Sequence, residues 1–169
     1  ALCKLDIRCG RIKECGRVPD SDNLYALKVD VGEPEPRQVL TSLVKHYKQE
    51  ELQNRQVVVY CNIKPGKMKG MDSQAMVLAA TSGKGTDGEK CELLSPPADT
   101  PEGTRAMCGG YEVGCLSASQ SVKYISKVWA KVQPQLLTND SREALFNGSA
   151  LTMKDGPISV SSLTGVPIY

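Results

Sequence analysis

Between residues 56 and 81 two apolar stretches flank a turn made of Lys64-Pro65-Gly66-Lys67-Met68-Lys69-Gly70. The run Val57-Val58-Val59-Tyr60 that precedes the turn favours a strand, because β-branched and aromatic side chains pack well on a pleated surface and lose rotamer freedom in a helix. Successive strand side chains point to opposite faces, so Val57, Val59, Cys61 and Ile63 share one face and Val58, Tyr60, Asn62 and Lys64 the other. The second face is expected to carry a stacking ring, an amide and a cation in a row. Such a surface suits a single-stranded or looped nucleic acid.

The residues before this hairpin extend the same pattern. Leu5, Ile7 and Cys9 alternate as one strand face, and a β-bulge is expected at Gly10, turning Ile12 inward and leaving Arg11 and Lys13 outside beside Tyr60. Pro19-Asp20-Ser21-Asp22-Asn23 is a turn cluster, after which Tyr25, Leu27, Val29 and Val31 alternate with Ala26, Lys28 and Asp30. Residues 37–43 are expected as a third strand, 45–53 as a short helix, 56–63 as a fourth strand and 73–81 as a fifth. A helix between the third and fourth strands is the pattern of the OB-fold, a small Greek-key barrel. The fold class expected is therefore all-β with short helices, with the barrel over residues 1–82.

Residues 83–169 are expected as a C-terminal extension packed on the barrel. It opens on a flexible loop, Ser82-Gly83-Lys84-Gly85-Thr86-Asp87-Gly88, which does not fit the phosphate-loop spacing Gly-x-x-x-x-Gly-Lys-Ser/Thr. Short strands are expected at 91–97 and 104–108. A helix follows, in which Val122, Ile125, Trp129 and Val132 form an apolar stripe and Lys123, Lys127 and Lys131 a second, basic one. Pro134 ends it.

Net charge is only +2, so a polyanion-binding surface has to come from local clustering. Lys64, Lys67 and Lys69 face only Asp72 in their segment, and Arg8, Arg11 and Lys13 outnumber Asp6 and Glu14 in theirs. Seven cysteines without a Cys-x-x-Cys pair, and His46 as the single histidine, argue against a zinc site and suit buried thiols in a reducing compartment. With one Phe and one Trp, the core has to be built from Val, Leu and Ile. No apolar run approaches the roughly 18 residues of a membrane span, and no signal-peptide pattern is present. His46 has no nucleophile motif around it, so the expectation is a non-catalytic protein without metal or cofactor.

The segments Leu5-Asp6-Ile7-Arg8-Cys9-Gly10-Arg11-Ile12, Asp20-Ser21-Asp22-Asn23-Leu24-Tyr25, Asn62-Ile63-Lys64-Pro65-Gly66-Lys67-Met68-Lys69-Gly70 and Ser73-Gln74-Ala75-Met76 resemble the tRNA-binding domain of endothelial monocyte-activating polypeptide II. That domain also occurs at the C-terminal end of some tyrosyl-, methionyl- and lysyl-tRNA synthetases, in yeast aminoacylation cofactors and in small bacterial tRNA-binding proteins. The resemblance implies an OB-fold barrel whose extension covers the surface used for dimerisation in the bacterial type, and hence a monomer in isolation. It implies a cytoplasmic, non-sequence-specific tRNA-binding module serving an attached or associated aminoacyl-tRNA synthetase.

On that reading Arg11, Lys13, Lys64, Lys67 and Lys69 neutralise phosphates. Ser42, Asn62, Ser73 and Gln74 bond to sugar hydroxyls. Tyr60 and Met76 meet exposed bases, and Asn23, Lys28 and Met68 complete the candidate set. The segment Arg8-Cys9-Gly10-Arg11-Ile12 lies where the family's cytokine-like heptapeptide lies. The alternative function is thus a secreted, cytokine-like signalling module.

Overall fold

The computed structural model describes residues 5–63, 66–108, 111–112, 122–153 and 156–169, with side chains for all of these except 68, 111–112 and 122–125. Its first half is a nearly closed five-strand barrel formed by β1 (Ile7–Arg17), β2 (Tyr25–Asp30), β3 (Arg37–Thr41), β4 (Gln56–Tyr60) and, beyond the hairpin β5 (Gly66–Met68) and β6 (Met71–Ser73), the short β7 (Met76–Val77). The sheet order is β3-β2-β1-β4-β7, all antiparallel. The helix expected at 45–53 shrinks to α1 (Gln49–Leu52), whose Leu52 is fully buried in the barrel core.

The long strand β1 is buried on both faces, which explains why its apolar pattern changes phase. Ile7 and Cys9 belong to one core cluster, whereas Ile12 and Cys15 belong to the barrel cluster. No bulge at Gly10 is needed, and the register shift falls between Ile12 and Glu14 at Lys13. Gly10 instead answers a close approach, since a Cβ there would lie 2.8 Å from Val29 Cγ1 and 2.8 Å from Val59 Cγ2. On β4, Val57 and Val59 likewise face the barrel core while Val58 and Tyr60 face the other cluster.

The fifth expected strand, 73–81, breaks into three because the barrel closes there through side chains. Leu40 N–H donates to Ser73 Oγ (3.1 Å), Gln38 N–H donates to Gln74 Oε1 (2.8 Å), and Gln38 Nε2 donates to the Asp72 carbonyl (2.8 Å). After β7 the chain enters β8 (Ala79–Ser82), which pairs with β9 (Lys90–Leu93). The loop between them is hydrogen-bonded and not a bare linker. Thr86 donates to the Gly83 carbonyl, and Gly83 and Gly85 take left-handed φ values of 64° and 81°.

The remaining residues form a six-stranded sheet from β10 (Met107–Cys108), β11 (Tyr111–Glu112), β12 (Leu136–Thr138), β13 (Ala144–Phe146), β14 (Ser149–Met153) and β15 (Gly156–Pro157), with α2 (Val122–Val132) beside it. Pro134 sits in the 3₁₀ turn Gln133–Gln135 that ends α2. Val128 and Val132 of α2 pack with Leu5, Ile7, Cys9, Val58, Tyr60, Leu78 and Ala80, and with Leu136, Leu151, Met153, Ile158 and Ile168. One core therefore joins the outer wall of the barrel to the C-terminal residues.

Candidate nucleic-acid interface

The face of β4 expected to meet RNA is the face that this second core covers. Tyr60 is 2% exposed, and its ring stacks on Trp129 with centroids 4.8 Å apart and planes 17° from parallel. Burial pushes its phenol up to about 12. Asn62, half-buried, accepts the Asp6 N–H through Oδ1 at 2.8 Å. Tyr60 thus offers no ring face to a base, and Asn62 has a structural bond. Lys64 lies outside the described residues, as does the Met68 side chain.

The cations of β1 are also engaged. Arg8 forms a bidentate pair with Asp6 (2.8 and 2.6 Å) and reaches Glu33, which Arg37 holds from the other side at 2.7 Å. These guanidinium groups hold the Glu33 carboxyl below the usual carboxylate range, the Arg37 bond contributing most. Arg11, expected as a phosphate contact beside Tyr60, pairs with Glu102 at 2.6 Å and donates to the Asn54 carbonyl, so its charge is engaged within the chain. Lys13 occupies the bulge and is exposed. The cytokine-like segment Arg8–Ile12 is therefore interior strand, paired with β2 and β4, with Cys9, Gly10 and Ile12 buried.

Five of the expected contact residues do come together elsewhere. A groove of about 580 Å³ is lined by Asn23, Ser42, Lys67, Ser73 and Met76, joined by Lys45, His46, Lys84, Glu89 and Tyr169. Its floor is the buried set Leu40, Leu43, Ala75, Val77 and Ala79, and its rim carries the exposed Ser42, Lys45, Lys67 and Lys84. An apolar floor under a few convergent polar groups is the general form of a ligand site. Ser73 contributes less than expected, since its hydroxyl accepts from Leu40 N–H and donates to the Ala75 carbonyl at 3.2 Å.

Lys28, Lys69 and Gln74 do not line the groove. Lys28 Nζ donates to Gln38 Oε1 at 3.3 Å, and Gln74 closes the barrel as described. Lys69 sits exposed at the hairpin tip with φ of 51°, beside Gly70 at 78°. Lys67 makes only a loose 4.0 Å pair with Asp72, both side chains largely exposed, which leaves its ammonium available to an anion.

Lys45, His46, Lys84, Glu89 and Tyr169 line the groove without having been expected there. Lys45 and His46 were expected inside a helix, and Lys84 in a flexible loop. The fold brings them in because His46 Nε2 lies 2.9 Å from Glu89 Oε2, while Glu89 Oε1 accepts Gly85 N–H at 3.1 Å. The His46 contact, with the Gly85 N–H, holds the Glu89 carboxyl below its ordinary value. Among the described residues no helix is long and apolar enough to cross a membrane.

Residues 7–105 match the family model described as "Putative tRNA binding domain". The chain is 41% identical over 162 residues to cytoplasmic tyrosine–tRNA ligase of Gallus gallus, covering 96% of this chain and 30% of that protein. It is 40% identical over 153 residues to aminoacyl tRNA synthase complex-interacting multifunctional protein 1 of Cricetulus griseus, covering 90% of this chain and 40% of that protein. The chain thus spans less than half the length of these relatives. The solved C-terminal domain of Plasmodium vivax p43 superposes with a TM-score of 0.88 at 28% identity, covering 100% of this chain and 99% of that one. These likenesses do not favour the secreted alternative. The family model, the sequence relatives and a whole-length match to a solved relative agree: the chain belongs to the tRNA-binding domain family, a non-catalytic module.

Proposed function

We propose that this domain holds tRNA for an attached or associated aminoacyl-tRNA synthetase in the cytoplasm, and that the RNA lies along the groove between the β5–β6 hairpin and the 83–89 loop. The observation that carries this reading is the convergence of Lys45, Lys67 and Lys84 on the rim of one apolar floor. Three lysines lining one groove can neutralise phosphates and release their counterions, giving affinity with little sequence preference. Asn23 and Ser42 stand on the same groove, where an amide and a hydroxyl can meet ribose 2′-hydroxyls and favour RNA over DNA. Met76 offers a soft half-buried surface to a base. Lys69, exposed at the tip of the same hairpin, extends the cationic track. Arg11 and Tyr60 leave the proposed site, because one is ion-paired and the other is core.

The test is a salt series of tRNA affinity for the wild type and for the double variant Lys45→Glu, Lys67→Glu. The variant is expected to bind at least about ten-fold more weakly, and its slope of log K against log salt to fall by about 1 to 2. Unchanged affinity and slope in a variant with an unaltered melting temperature would remove the groove from the account.

A further inference from the structure

The ring expected to stack on RNA, Tyr60, is part of the core, but the groove has another. Tyr169 lines it half-buried, and the segment bearing it runs antiparallel to β8. Tyr169 N–H donates to the Ala79 carbonyl at 2.9 Å and Ala79 N–H to the Tyr169 carbonyl at 3.0 Å. Both bonds are backbone, so they fix the residue's place without calling on its side chain. The ring lies instead under the exposed Lys84, whose Nζ is 3.7 Å from its centroid. Glu89, the acidic group lining this groove, is bound to His46 and to Gly85 N–H.

Resting on the RNA-binding reading above, we propose that Tyr169 is the platform on which an unpaired base of the bound RNA lies, with Lys84 leaving the ring to meet the adjoining phosphate. The groove's ligand is then an unpaired nucleotide segment and not a duplex, because only an unstacked base presents a free face to an aromatic ring. Magnitudes favour the exchange. An exposed ammonium over a ring changes an equilibrium by about two- to five-fold, whereas a base on an aromatic ring changes it by about five-fold to over a hundred-fold. The displaced ammonium gains a charge-assisted bond to phosphate. Residues after position 82 therefore contribute both a cation and a ring to the RNA surface.

The experiment measures affinity for bulk tRNA and for a short single-stranded oligoadenylate, in Tyr169→Ala, Tyr169→Leu and Tyr169→Phe. Expected are a loss of about five-fold or more in the Ala and Leu variants with the salt slope unchanged, and retention within about two-fold in Phe. The Leu variant keeps apolar bulk, so it separates lost stacking from lost packing. A blunt RNA duplex of the same length is expected to compete poorly with the oligoadenylate. Affinity within about two-fold of wild type in the Ala and Leu variants overturns the inference, as does a Phe variant as weak as Ala, or a duplex that competes equally. If Lys45→Glu, Lys67→Glu weakens binding and the Tyr169 variants do not, stacking falls and the groove stands. If neither set changes affinity, the groove reading falls with it.

Discussion

Tyr60 shows how one residue's role turns on what covers its strand. A tyrosine on a strand bearing Asn62 and Lys64 has the composition of an RNA-stacking face, yet its ring is packed against Trp129. Removing such a buried ring costs its transfer free energy and leaves a cavity beside Trp129 and Val132, about 3 to 5 kcal/mol in all. Tyr60→Ala is therefore expected to lower the melting temperature sharply, while Tyr60→Phe keeps the ring and leaves tRNA affinity within about two-fold. A Phe variant that folds normally yet binds tRNA ten-fold more weakly, about 1.4 kcal/mol, would return Tyr60 to the interface.

At the scale of elements, the strands bury thiols that keep their protons well above neutral pH. Cys9 and Cys15 on β1 are pushed up to about 11, and Cys61 after β4 to about 12, in each case chiefly by burial. Their unfolded value is near 9, so the folded chain holds its thiol protons more tightly than the unfolded chain does. That part of the stability is full below pH 9 and is lost as pH rises toward 11 to 12. Denaturant midpoints are expected to fall between pH 9 and 11, and a charged thiol reagent at pH 8 should leave these three unmodified until the chain unfolds. Rapid native-state labelling of Cys9 or Cys61 would contradict the burial.

The strands were legible because alternation survives burial on two sides: Tyr25, Leu27, Val29 and Val31 all reach the barrel core as expected. The position of the bulge was not legible. Ile7 and Cys9 serve one core and Ile12 another, a division that one strand's sequence cannot reveal. The lysines of the hairpin were visible as a charge cluster, and Lys67 reaches the groove. Lys45, Lys84 and Tyr169 were not visible there, because the His46–Glu89 contact and the pairing of Tyr169 with Ala79 bring together residues far apart in sequence.

Over the whole molecule, the C-terminal residues cover the barrel wall formed by Ile7, Cys9, Val58, Tyr60, Leu78 and Ala80. With that apolar surface already buried within the chain, we propose that the isolated domain is a monomer. Light scattering at two concentrations is expected to return a mass near 18.3 kDa at both. A stable dimer would mean that another face drives association. The proposed RNA groove, with its apolar floor and basic rim, is lined by other residues, from Asn23 and Ser42 to Lys84 and Tyr169.

Amide chemical shifts recorded as tRNA is added test this directly. The account predicts changes concentrated at Asn23, Ser42, Lys45, Lys67, Met76, Lys84 and Tyr169, with Val58, Tyr60 and residues 8–12 unmoved. Shifts centred instead on β1 and β4, or on the Lys127 and Lys131 side of α2, would contradict it.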